Sequence, residues 1–154
     1  MNLSEHFTLE EATHSDTAIK MGISNQPSAV QLENLKHSAA GMEKVRALLN
    51  HPIGVSSWLR LPAVNVAVGG SEKSAHMDGF AIDFTCPAVG VPLEVAKKIA
   101  ASDIKYDQMI HEYGRWVHIS FDPALRCQKL TIFKTPGKPT YKPGLLTEAE
   151  YHAA

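Results

Sequence analysis

His76, Asp83 and His118 are the residues of this chain whose types and spacing best suit metal chemistry. The first two lie in the run Ser74-Ala75-His76-Met77-Asp78-Gly79-Phe80-Ala81-Ile82-Asp83-Phe84, the third in Trp116-Val117-His118-Ile119-Ser120-Phe121. Two neutral imidazoles and a carboxylate suit a tetrahedral Zn²⁺ whose fourth position stays open for the water that a hydrolase needs. A structural zinc site would use four protein ligands, usually with cysteines. Cys86 and Cys127 are the only cysteines and lack CxxC spacing, which argues against a zinc finger; both are expected as free thiols.

The elements that must position these residues follow from periodicity. From Phe80 to Thr85, Phe80, Ile82 and Phe84 face one side of a strand, while Ala81, Asp83 and Thr85 face the other. His118 shares a face with Trp116 and Ser120, opposite Val117, Ile119 and Phe121. Each candidate ligand thus points away from the apolar side of its strand, as a cleft-facing ligand should. Gly79 allows the turn that brings His76 back toward Asp83.

Upstream, Thr8 with Glu11 reads as a capping box, and a long helix from Ser28 carries an apolar stripe at Val30, Leu32, Leu35, Ala39, Met42, Val45, Leu48 and Leu49. His51-Pro52 ends that helix. A short strand over residues 53–59 leads into a loop from Arg60 to Lys73, in which Asn65 and Gly69-Gly70 shape the approach to Ser74 and His76. A helix follows over residues 91–100. Asp107–Tyr113 and Trp116–Phe121 form a hairpin around Gly114-Arg115, and residues 130–133 a last strand. The expected architecture is α+β: N-terminal helices packed on a small, mostly antiparallel sheet, forming one domain over residues 1–134, with an extended C-terminal tail over residues 135–154.

At 154 residues, 44% of them hydrophobic, the chain suits one packed domain. A formal net charge of −1, without a basic run, gives no footprint for nucleic acid. No stretch suits a membrane span, and the first residues lack a signal-peptide pattern, so synthesis in the cytoplasm and a monomeric state are expected. His6, His14, His37, His51 and His152 read as surface or capping residues.

Ser74-x-His76-x-x-Gly79-x-Ala81-x-Asp83, followed by Trp116-Val117-His118-Ile119-Ser120, resembles the zinc peptidases of the D-alanyl-D-alanine carboxypeptidase type. These share a wider group with lysostaphin-like enzymes and hedgehog domains, and the resemblance is strongest to phage and prophage carboxypeptidase-like members. It spans roughly residues 3–122, including Phe7-Thr8-Leu9-Glu10-Glu11 and Ser57-Trp58-Leu59-Arg60. The resemblance implies zinc held by His76, Asp83 and His118, and hydrolysis of amide bonds in peptidoglycan stem peptides. A D-Ala-D-Ala carboxypeptidase-like or an L-Ala-D-Glu endopeptidase-like cut is consistent with it, and so is an endolysin-like or virion-associated route to the cell wall. The alternative is a zinc-binding, catalytically inactive wall-binding or assembly module of the same fold.

Many members of this group place an acid three residues before the last histidine, where this chain has Arg115, which cannot serve as a base. Others carry a glutamate six residues before it, the position of Glu112 here, with His111 as the rival. A two-residue turn at Gly114-Arg115 pairs Tyr113 with Trp116 and sends Glu112 into the core. A three-residue turn pairs Tyr113 with Val117 and sets Glu112 opposite His118. Burying an unpaired carboxylate is costly, which favours the second. Arg60 matches a substrate-contacting arginine of the group, suited to a carboxylate or an oxyanion. Ser74 and Trp116 are expected to contact substrate at the cleft.

Overall fold

The alternating segments assemble into a single sheet. In a computed structural model describing residues 1–154, strands β1 (Gly54–Ser57), β2 (Ala81–Thr85), β3 (Gln108–Glu112), β4 (Trp116–Ser120), β5 (Gln128–Ile132) and β6 (Lys142–Pro143) lie in the order β1-β2-β4-β3-β5-β6. Every neighbouring pair is antiparallel except β3 and β5, which run parallel. Helices α1 (Leu9–Thr13), α2 (Asp16–Met21), α3 (Ala29–Leu49), α4 (Pro62–Ala67), α5 (Pro92–Ala100) and α6 (Glu148–Ala153) complete the α+β architecture. No helix is long and apolar enough to cross a membrane.

The sheet has one apolar face and one polar face. Ile82, Phe84, Met109, Val117 and Ile119 are buried in the main core, against Leu35, Met42 and Val45 of α3 and Val95 and Ile99 of α5. The β2–β4 register sets Asp83 against His118 and Ile82 against Ile119, so the same pairing that builds the core aligns two candidate ligands on the far side. A one-residue slip would exchange the faces, so core burial enforces the register.

α3 opens on a reciprocal Ser28–Gln31 capping box and ends at Asn50 in the left-handed conformation. Its buried stripe differs from the expected one: Val30 is 70% exposed, and the stripe runs Leu35, Ser38, Ala39, Met42, Val45, Leu49. The start of the helix lies against the turn before β2, where Gln31 Nε2 donates to Met77 C=O (3.1 Å). Gly41 lets α3 approach closely, since a Cβ there would sit 2.5 Å from the Phe121 ring.

Three expectations need correction. The Arg60–Lys73 loop contains α4, whose Pro62 stands at the helix start, where a missing N–H costs nothing. The hairpin register is neither of the two considered, because Glu112 pairs with Trp116 and Ile110 with His118. Its turn is closed by Arg115 N–H donating to Glu112 C=O (2.9 Å), with Tyr113 and Gly114 both at positive φ, at 57° and 67°. The shift is two residues from the favoured register, so the side-chain face is kept and Glu112 still lies on the His118 side.

The third correction concerns residues 135–154, which fold onto the sheet instead of trailing away. β6 pairs with β5, and α6 begins with a Thr147–Glu150 capping box. Thr131, fully buried, donates from Oγ1 to Gly144 C=O (2.8 Å) and accepts from Leu146 N–H (3.0 Å). Tyr151 is also fully buried, packed beside Phe133 with ring centroids 5.5 Å apart. The prolines and glycines that suggested mobility serve instead as turns between short pieces.

Truncating Tyr151→Ala should cost about 3 kcal/mol or more in urea unfolding, the range for a buried aromatic; a mobile tail would lose almost nothing. Asp107 gives a pH test. Two hydrogen bonds from the Arg126 guanidinium (both 2.9 Å) and one from its backbone N–H (3.1 Å) hold the Asp107 carboxyl below its ordinary range, against the upward pull of burial. A depressed folded pKa contributes stability above the unfolded value, about 3.9, which is lost as pH falls through the folded value. Asp107→Asn should therefore be less stable than the unsubstituted protein at pH 7, with the gap in unfolding midpoint closing in acid.

Candidate metal centre

β2 and β4 deliver Asp83 and His118, and a 3-10 turn over Ala75–Met77 delivers His76. Ser74 caps that turn, accepting from His76 N–H (3.2 Å), and Gly79 at φ 87° returns the chain into β2. A Cβ at Gly79 would lie 3.3 Å from the Gln31 carbonyl oxygen, so the site also depends on a close approach to α3. Asn65 helps shape the preceding loop through a hydrogen bond from Nδ2 to Ser71 C=O (2.9 Å).

The three side chains converge. His76 Nε2 lies 3.2 Å, and His118 Nδ1 3.0 Å, from Asp83 Oδ1, and one ligand atom from each residue lies within 4.8 Å of the others. All three residues are buried. Ligands 2.0–2.2 Å from a tetrahedral zinc stand about 3.4 Å apart, so these separations are slightly contracted edges of such a polyhedron. The donor set, two imidazole nitrogens and a carboxylate oxygen, suits zinc.

His76 Nδ1 lies 2.6 Å from Trp58 C=O, an acceptor that calls for the proton on Nδ1 and leaves Nε2 to face Asp83. Trp58 is itself fully buried, and its indole N–H donates to Ser38 Oγ (3.0 Å) and Gly79 C=O (3.3 Å). Burial alone would raise the Asp83 carboxyl, but His76 and His118 outweigh it and hold the group well below the usual range. Positive charge at this point is what the carboxylate requires.

Glu112 is half-buried on the same face, its Oε1 4.0 Å from His118 Nδ1. Burial first, and then the Asp83 charge, push it up to about 7, against the opposing pull of His118 and Arg60. His111, the rival base, is on the opposite face. It is buried there with Nδ1 3.0 Å from Leu146 C=O, neither catalytic in placement nor the surface residue otherwise expected. Burial, the leading cause, pushes the His111 pKa down, so the ring stays neutral near pH 7.

Arg60, Ser74 and Trp116 line a cleft of about 520 Å³ together with Asp83, Glu112 and His118. Arg60 Nη2 reaches Ser74 Oγ at 3.5 Å, and its buried Nε has no partner, as is true of the Trp116 indole N–H. Asp78 is exposed and lies outside the ligand cluster. Three contributors were missed in the sequence. Ser38 and Trp58 support the site from behind, and Tyr141 lines the cleft. Ser38 had a signal: it falls on the buried stripe three residues after Leu35, where a polar residue needs a partner.

Added Zn²⁺ should raise the melting temperature by an amount that grows with free metal, equivalent to about 2.7 kcal/mol at a hundred times Kd. Asp83→Ala should remove that response in a thermal shift measurement.

The Peptidase M15 family profile matches residues 5–120. No curated protein sequence matches the chain.

Proposed function

The chain belongs to the Peptidase M15 family, and from that membership and the His76–Asp83–His118 cluster we propose a zinc-dependent peptidase that hydrolyses amide bonds in peptidoglycan stem peptides. The observation that carries the proposal is the Glu112 carboxylate, 4.0 Å from a ligand nitrogen and on the same side of the sheet as the cluster. When bound, zinc supplies Lewis acidity and lowers the pKa of a coordinated water. His76 through Nε2, His118 through Nδ1 and Asp83 through Oδ1 would hold the ion. Glu112 accepts the proton of the attacking water and returns it to the leaving amine.

Arg60 lines the cleft with a guanidinium whose Nε has no partner within the protein, a charge that suits a substrate carboxylate or the oxyanion that develops at the scissile carbonyl. Ser74 orients Arg60 and caps the His76 turn, and Trp116 forms a wall. Phage or prophage origin, with delivery to the cell wall by lysis or by the virion, belongs to the same reading and rests on the motif resemblance.

Glu112→Gln should lower hydrolysis of purified peptidoglycan by about 10²–10⁴-fold while elemental analysis still finds one zinc per chain; undiminished activity removes Glu112 from this role. Zymograms with and without chelator separate a hydrolase from an inactive wall-binding module.

A further inference from the structure

Tyr141 lines the cleft, although it comes from the segment beyond the 5–120 matched by the family. We propose that Tyr141 is a substrate-contacting residue whose phenolic O–H donates a hydrogen bond to a carbonyl oxygen of the bound peptide, so that the C-terminal segment supplies one wall of the binding site. The inference rests on the peptidase reading above and extends it to a part of the chain that the family match does not reach.

The position of Tyr141 is fixed from both sides. Thr140 C=O accepts from the buried Tyr151 hydroxyl (2.5 Å). Lys142 pairs with Thr131 in the β5–β6 ladder, and its Nζ donates to Tyr151 C=O (2.6 Å) and Ala154 C=O (2.9 Å). These contacts hold the backbone on either side and leave the Tyr141 hydroxyl free, with the residue 49% exposed. A half-exposed phenol on a fixed backbone is preorganised for a ligand.

The surrounding chemistry says which ligand atom it suits. Glu112 and Asp83 accept hydrogen bonds when ionised, whereas Arg60, the Trp116 indole and Tyr141 offer donors on the same cleft. Partial burial, then the negative charge of Glu112, the Tyr113 phenol and Asp83, raise the Tyr141 pKa, with Arg60 opposing, so the phenol remains a neutral donor at physiological pH. Donors grouped around anionic groups match a ligand rich in carbonyl oxygens, as a peptide is.

The test uses the full-length zinc-loaded protein and a synthetic stem pentapeptide ending in D-Ala-D-Ala. Tyr141→Phe keeps the ring and removes only the donor. The expected result is KM raised about ten-fold with kcat nearly unchanged, the mark of an interaction made equally in ground and transition states. Calorimetric titration of the peptide into Glu112→Gln should show the same weakening when Tyr141→Phe is added. Melting temperature and zinc content should stay unchanged, which a merely structural role would not predict. Unaltered KM and affinity in Tyr141→Phe overturn the inference and leave the peptidase reading standing. If the unsubstituted protein neither binds nor cleaves the peptide, both fall together.

Discussion

A buried carboxylate must find compensating positive charge or hydrogen bonds, or give up its ionisation. Asp83 stands in that position in the middle of the sheet, and the site is organised around meeting its demand. His118 reaches it because the β2–β4 ladder sets the two residues opposite each other. His76 reaches it from a separate turn, and only because Gly79 and the Ser74 cap hold that turn against α3. The cluster that results is compact and acceptor-rich, and it faces open space on one side. A dication fits this arrangement, and so does the peptidase chemistry of the family.

The support behind the site is as specific as the site. Trp58 belongs to the hydrophobic core by its ring, to α3 and the Gly79 turn by its indole N–H, and to His76 by its carbonyl. One residue therefore couples packing to the tautomer of His76. Ser38 is the polar member of an otherwise apolar stripe because it completes this arrangement, accepting from the indole and donating to Gly79 C=O (2.7 Å). A core that is disturbed near Trp58 would misplace His76 without touching any residue of the cluster.

The C-terminal segment changes what the cleft is made of. Parallel pairing of β5 with β3 carries the chain beside Glu112, and β6 extends the sheet by a further strand. His111 and Thr131, directly paired across β3 and β5, are buried on the face opposite the ligands, where each bonds to residues 144–146. The same strand thus presents Glu112 to the cleft and His111 to the packing. That division follows from side-chain alternation.

The grouping of His76, Asp83 and His118, the two-faced strands and the α+β class were legible in the sequence because they are written in local period and residue type. Alternation marked which side of each strand was greasy, and burying that side left Asp83 and His118 nowhere to go but the cleft. Capping at Thr8 was equally local. The hairpin register was not legible: Tyr113 and Gly114 both adopt positive φ, a choice the flanking strands impose on a tyrosine that would not favour it alone. Its parity survived, and with it the side on which Glu112 lies. The placement of His111, the role of Trp58 and the folding of residues 135–154 depend on contacts between segments far apart in the chain, such as Thr131 with Gly144 and Tyr151 with Thr140. Periodicity within a segment carries no information about such partners, so only the assembled tertiary structure could decide them.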